Sequence, residues 1–351
     1  MVGLFGNKNA GWVGVDIGSS SVKLVSLSQH GHDYQVDSYA VVPLPPSAVV
    51  DGTVENQGEV SDAIERGIKI CGNKLRHAVI AVPSSAVITK RLEISNAFSE
   101  QELEEQVKIE ADQFIPYALD EVALDFEVIG PVDNNHALNE ILLVACRRDD
   151  VSSREEAVNG AQLQCEIVDV DTFATERLLP LLEGCNPDAL IGLVDIGAST
   201  LTLNVFRKGK IVYNREQAFG GNELTNAIHQ QYGMEVAEVE QKLRNGSLDD
   251  EIVEMLVMPF RQSVIQQVSR ALQFFYSSGA QSQLSELYLA GGTAGIEGLS
   301  DLMQEEIGVP AKVVNPFSSI RVGPRLNQDR LINDAPMLAK ACGLALRSFD
   351  R

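Results

Sequence analysis

The chain carries the same segment twice, and this repeat constrains its fold more than any other feature. Residues 11–28 read GWVGVDIGSSSVKLVSLS, and residues 190–207 read LIGLVDIGASTLTLNVFR. With Asp16 set against Asp195, Ile17 meets Ile196, Gly18 meets Gly197, Ser20 meets Ser199 and Leu24 meets Leu203. Each copy is an apolar run that breaks at Asp-x-Gly and resumes after a short Ser/Thr turn. A third run follows each copy: residues 34–42 after the polar stretch 29–33, and residues 210–215 after Lys208-Gly209. Apolar runs joined by short glycine-containing turns read as β-hairpins. Two Gly-Ser turns can match by chance, but two turns set in matched strand contexts are poorly explained that way. A repeat about 180 residues apart in a 351-residue chain predicts two related domains.

Helical patterns fill the intervals. Val60, Ala63, Ile64, Gly67, Ile68 and Cys71 share one helical face, as do Phe173, Arg177, Leu178, Leu181 and Leu182, which end before Gly184. A longer stripe runs from Leu256 through Phe275 and stops near Gly279. These stripes predict core packing. Between the repeats, residues 83–154 form a distinct insert. Residues 87–92 read as a strand, and Ser99 with Glu102 forms a capping box that opens a helix ended by Pro116. Residues 124–129 and 141–146 alternate as two more strands around a turn at 133–139. A second insert, residues 221–282, is helical throughout by pattern. The expected division is therefore 1–82 plus 155–189 for the first half, 83–154 for the α+β insert, 190–220 plus 283–351 for the second half, and 221–282 for a helical subdomain.

Charge excludes some partners. The 28 basic residues face 49 acidic ones, a net charge of −21. Such a surface repels nucleic-acid backbones and anionic lipid heads, so any membrane association should run through a partner protein. No run approaches the roughly 18 apolar residues of a membrane span, and residues 1–12 lack the apolar core of a secretory signal. The five cysteines are scattered without a CxxC pair, which reads as free thiols in a reducing compartment. The five histidines lack zinc-site spacing.

The turns carry the chemistry. In VDIGSSSVK, Gly18 permits a tight turn while Ser19 and Ser20 present hydroxyls and successive backbone N–H groups, an anion nest suited to phosphate. Lys23 follows on the next strand, within reach of the same phosphates. A carboxylate at Asp16 beside phosphate calls for a cation, which implies Mg²⁺ with its water shell. Asp195, Gly197, Ser199 and Thr200 repeat the arrangement without the lysine. Two such hairpins can grip one polyphosphate from both sides, with Asp16 and Asp195 sharing the metal and Asp195 orienting a water. A third element follows: the apolar run 286–290, then Gly291, Gly292 and Thr293, then a helix expected from about Ile296 to Gly308. Glycines there allow close approach to a ribose or a flat ring.

Phosphate hairpin, second phosphate hairpin, then strand–GG–helix is the motif order of the actin, Hsp70 and sugar-kinase superfamily, which the chain resembles over nearly its whole length. The resemblance implies a duplicated actin-like (ribonuclease H-like) α/β fold that binds ATP and Mg²⁺. It makes residues 168–172 the first interdomain connection, with Asp171 near the water. It makes Gly220 and Gly221 the start of the second insert, whose Glu238 or Lys242 would touch the ribose or base. A clamp of this kind can hold ATP without turning it over, because hydrolysis needs a positioned water.

The inserts suggest the branch. The chain stops at Arg351, without the long peptide-binding part of an Hsp70 chaperone, and no phosphoacceptor motif of a small-molecule kinase is visible. The insert 83–154 resembles that of the FtsA and PilM families. The FtsA cell-division reading keeps a place beside the kinase one, although the end of this chain reads as a packed helix rather than a membrane anchor. The GLFGNK start and the stretches VPSSAVITKRLEI, EQVKIEADQFIPY, QQVSRALQFFYSS and LYLAGGTAGIEGL resemble the PilM family of type IV pilus assembly. That resemblance implies a cytoplasmic protein at the inner face of the inner membrane. It implies binding of the N-terminal tail of PilN in a groove beside the insert, and association with pilus motor ATPases and other inner-membrane assembly proteins.

Overall fold

The computed structural model describes residues 9–72, 74–279 and 282–350; the GLFGNK start lies outside them. Two sheets of the same topology organise the chain. In the first, strands Asn9–Ile17, Ser21–His30 and Asp33–Pro43 form an antiparallel meander, and His77–Val82 and Gln164–Val170 add on in parallel beside Asn9–Ile17. In the second, Leu190–Ile196, Leu201–Arg207 and Lys210–Gln217 form the meander, and Glu286–Ala290 and Ala311–Val313 add on in parallel. The repeat is thus a repeat of architecture. The turn at Lys208-Gly209 has φ of 54° and 70°, the double left-handed turn whose twist matches a hairpin.

Each sheet covers its outer face with helices. Gln57–Cys71 and Arg148–Gly160 pack on the first, burying Val60, Ala63, Ile64, Ala157 and Val158. Gly221–Tyr232 and Met258–Ser277 cover the second around Ile228, Val264 and Val268. The second insert is helical as expected, with a π-helical turn at Val253–Val257 leading into the long helix. The two inner faces share a third core. Val25, Leu27 and Val36 from one sheet and Ile191, Leu193 and Phe206 from the other meet Leu178, Leu179 and the last helix, Ala339–Arg347. Seven residues of that nine-residue helix are buried, as suits a helix enclosed on all sides. Burial pushes the Cys342 thiol far above its ordinary range, so it should resist alkylation in the folded protein.

The α+β insert is a three-stranded sheet, Val87–Ser95, Asn135–Arg147 and Val122–Val132, covered by helix Glu100–Asp112. Ser99 caps the helix reciprocally with Glu102: the Ser99 N–H donates to Glu102 Oε2 at 2.8 Å and the Glu102 N–H to Ser99 Oγ at 3.4 Å. Ser99→Ala should lower the stability of this subdomain by about 1 kcal/mol, read by amide exchange within residues 100–112.

Four expectations need correction. The hairpin turn in the insert is only Asp133-Asn134, because strand Asn135–Arg147 extends further than its alternation suggested. The stripe from Phe173 to Leu182 is not one helix: Asp171–Glu176 ends early and a short 3₁₀ turn, Leu179–Leu181, follows, since Pro180 has no N–H to continue the ladder. The helix after the GG turn starts at Leu299, not Ile296, because Gly298 at φ 71° caps it. Two parts of the segment 283–351 serve the first half. Arg321–Val322 pairs with Gln35–Val36 at the edge of the first sheet, and Ala339–Arg347 packs against Asn9–Ile17.

Candidate functional site

The two Asp-x-Gly turns face one another. Both close the same way: the Gly18 N–H donates to the Ser21 carbonyl at 3.1 Å and the Gly197 N–H to the Thr200 carbonyl at 2.9 Å. A Cβ on Gly18 would lie 2.7 Å from Lys23 Nζ and 3.2 Å from the Ser21 carbonyl oxygen, so a side chain there would push the lysine off its present position. The tips touch where the Ser199 hydroxyl donates to Ser19 Oγ at 2.9 Å. Between the halves lies a cleft of about 450 Å³. Asp16, Gly18, Ser19, Ser20, Lys23, Asp171, Asp195, Gly197, Ser199, Thr200, Gly221, Gly291, Gly292 and Thr293 all line it.

Gly220 lies just behind, as the N-cap of helix Gly221–Tyr232, with its Cβ direction 2.5 Å from the Ala198 carbonyl. The first turn of that helix is sewn to the second hairpin: the Gly221 and Asn222 N–H groups donate to the Gly197 and Ala198 carbonyls at 3.0 and 2.8 Å. Thr293 joins it by donating from its hydroxyl to the Gly197 carbonyl at 3.2 Å. Gly291 has φ 92°, and a Cβ there would lie 2.3 Å from the Ile196 carbonyl and 2.5 Å from Asp195 Oδ1, so only glycine fits. Glu238 and Lys242 are not brought into the cleft. They pair with each other at 3.4 Å, and the same helix, Val236–Asn245, turns Glu240, Leu243 and Arg244 inward instead.

Register sets the charges. Asp16 and Lys23 lie directly opposite across the first hairpin, with Nζ 3.3 Å from Oδ2. The equivalent partner of Asp195 is Thr202, so the second carboxylate draws its cation from elsewhere. That cation is Lys340, in the first turn of the last helix, 2.8 Å from Asp195 Oδ2 and 3.6 Å from Asp171 Oδ2. Asp171 follows the strand Gln164–Val170, and its Oδ1 accepts the Ser84 N–H at 3.0 Å. Arg154, only 3% exposed, donates to the Ala81 and Gly52 carbonyls at 3.1 and 2.5 Å and lines the cleft. Sequence reasoning missed Arg154, Glu216, Glu240, Arg244 and Lys340. Lys340 left one legible trace: a lone ammonium within the apolar run from Met337 to Leu346.

The cleft is far less acidic than the chain. Four basic side chains (Lys23, Arg154, Arg244 and Lys340) face five acidic ones (Asp16, Asp171, Asp195, Glu216 and Glu240), against 28 and 49 overall. Apolar side chains also line it, among them Leu243, Ile296 and Met337, the last with its methyl 3.8 Å from where a Cβ on Gly292 would lie. A polyanion attached to a flat ring matches a lining of both kinds.

Asp16 and Asp171 titrate in opposite senses. Burial would raise Asp16, but Lys23 and Lys340 outweigh it and hold the carboxyl below its ordinary value. Burial, with help from Asp195, raises Asp171 against the pull of Lys340. A depressed carboxyl contributes stability that is present at neutral pH and lost as pH falls through its folded pKa. A raised one costs stability at neutral pH, and that cost disappears below the unfolded value of 3.8. Asp16→Asn should therefore lower the melting temperature at pH 7, and Asp171→Asn should preserve or raise it. Both differences should shrink in melts taken toward pH 3.

The sequence expectation of a magnesium ion shared by Asp16 and Asp195 meets a different arrangement. Each carboxylate already has an ammonium partner. Among the described residues, no three His, Cys, Asp or Glu side chains are grouped to hold a metal ion. The side chains present offer no directly ligated site, and an ion held through its water shell, as the sequence led us to expect, would have to compete with both ammonium groups for the carboxylates.

A family model described as type IV pilus assembly protein PilM matches residues 14–349. A solved PilM-PilN type IV pilus biogenesis complex is similar at 29% identity, covering 97% of this chain and 99% of the matched one, with a TM-score of 0.80. The ethanolamine utilization protein EutJ from Carboxydothermus hydrogenoformans is similar at 19% identity, covering 95% and 89% with a TM-score of 0.55. The fold is the duplicated actin-like one.

Proposed function

Because the chain belongs to the PilM family of type IV pilus assembly proteins, we propose that it is a nucleotide-responsive docking protein of the pilus machine. It binds ATP between its halves and takes the N-terminal cytoplasmic tail of PilN beside the inserted subdomain. The observation that carries the nucleotide reading is the 2.9 Å contact between Ser199 and Ser19, which sets two matched phosphate-type turns tip to tip over one cleft. The PilN reading is supported by similarity to the PilM-PilN complex over nearly the full length of both chains.

Within this reading Lys23 neutralises a phosphate from the first hairpin. The Ser19, Ser20, Ser199 and Thr200 hydroxyls orient the phosphates, and Gly291 to Thr293 let the backbone approach the ribose. Leu243, Ile296 and Met337 cover the base, with Glu240 and Arg244 at its polar edge. Asp171 and Asp195 flank Lys340 toward the terminal phosphate end. Arg154 supplies a further cation there.

Nucleotide then acts on shape. The halves are joined through Asp171–Glu176 and Ala339–Arg347, and a ligand bridging both hairpins biases the angle at that joint. The inserted subdomain is rooted near the same joint, since Val82, Cys146 and Val170 share a small core with Phe173. A peptide bound beside the insert can therefore sense the state of the cleft. Docking to an inner-membrane partner would station the protein at the inner face of that membrane. Among the described residues no helix is long and apolar enough to cross one.

Calorimetric titration of a PilN-tail peptide into the protein, with and without saturating ATP, tests both parts. A peptide affinity that changes by about fivefold or more with ATP is expected, the lower end of ordinary coupling between sites. Absence of peptide binding in both conditions would remove the docking role, and absence of ATP heat would remove the nucleotide role.

A further inference from the structure

Lys340 sits where a lysine has little reason to be. It occupies the first turn of Ala339–Arg347, which continues directly from a 3₁₀ turn at Ala335–Leu338. Its neighbours Ala339, Ala341, Cys342 and Gly343 are buried, and its own side chain is 27% exposed, at the floor of the cleft. Something must compensate for an ammonium placed there. The compensation is Asp195 Oδ2 at 2.8 Å and Asp171 Oδ2 at 3.6 Å, carboxylates carried by different segments of the chain. A cation that draws two acidic groups together from separate elements does what a bridging divalent ion does in a phosphate site.

We propose that the Lys340 ammonium is the resident counter-ion of this phosphate site, held between Asp195 and Asp171 in place of a divalent metal, so that this chain binds nucleotide phosphates without one. Lys23 on Asp16 completes the arrangement, leaving each predicted metal ligand paired with a covalently attached cation. The inference rests on the nucleotide reading of the cleft.

Two consequences distinguish the arrangement from a metal site. An ammonium on a side chain cannot be chelated, so removing divalent ions leaves the site charged as before. Removing the ammonium leaves Asp171 and Asp195 uncompensated beside the phosphates, and a divalent ion becomes necessary.

The test is calorimetric titration of ATP into the full chain, once with excess magnesium and once with EDTA, for the wild type and for Lys340→Met. The wild-type affinity should change by less than about threefold between the two conditions, under 1 kcal/mol on the tenfold-per-1.4 scale. Lys340→Met should bind at least about tenfold more weakly in EDTA than in magnesium. A wild type that loses tenfold or more in EDTA would overturn the proposal without help from any variant. So would a folded Lys340→Met that is indifferent to magnesium. Lys340→Arg, which keeps the charge, should remain metal-independent and covers the case in which the methionine variant fails to fold. A wild type that gives no ATP heat in either condition would defeat the underlying nucleotide reading, a result distinct from binding that requires magnesium.

Discussion

Alanine at Gly343 is expected to destabilise the protein by about 3 kcal/mol or more, the upper range for overpacking a core. The reason is geometric. A Cβ on Gly343 would lie 1.9 Å from the Ala174 carbonyl oxygen and 2.6 Å from its carbon, so backbone meets backbone with no side chain able to yield. The opposite side of the same helix is as tight: a Cβ on Gly14 would lie 2.1 Å from the Ala341 carbonyl and 2.5 Å from the Ala345 nitrogen. The last helix is therefore clamped between the first strand and the Asp171–Glu176 helix, and a methyl group on either glycine must separate them. Denaturant unfolding of Gly343→Ala, beside Gly295→Ala as a control with open space around its Cβ, provides the measurement. Equal midpoints for the two variants would contradict the packing described. Because this helix also carries Lys340, a partly folded Gly343→Ala should lose nucleotide affinity together with stability.

Lys23→Glu is expected to weaken ATP binding by at least about a hundredfold, close to 3 kcal/mol, within the usual cost of breaking a hydrogen-bonded charge pair at a binding site. Two effects add. The phosphate loses its nearest cation on the first hairpin, and a second carboxylate appears directly opposite Asp16 in the strand register. Lys23→Gln removes only the first effect and should cost about tenfold. Titration at fixed ionic strength, with circular dichroism to verify the fold, separates the two. An affinity within about threefold of wild type in the glutamate variant would place the phosphates elsewhere.

Much of the architecture could be read from residue order, because it depends on local periodicity and turn chemistry. Asp16 and Lys23 face each other because a four-residue turn closed by Gly18 and Ser21 leaves them in register, and the period of a strand does the rest. Ser99 and Glu102 announced their helix through reciprocal hydrogen bonds that need only three residues of separation. Gly308, left-handed at φ 75°, ended its helix as a C-cap glycine should. The helix phase around Glu238 was harder. The neighbouring positions 240, 243 and 244 face the cleft, and nothing local distinguishes one polar face of a short helix from another.

The sequence by itself determined that there are two equivalent halves and where their phosphate-type turns lie. Tertiary structure alone decided that the last helix would return to the first half, that Arg321–Val322 would close the edge of the first sheet, and that Lys340 would meet Asp195 across about 145 residues of chain. The physical reason is range. Hydrogen-bonded turns and side-chain periods act over a few residues and are written in residue order, whereas apolar burial is non-directional and carries no address until whole faces pack together.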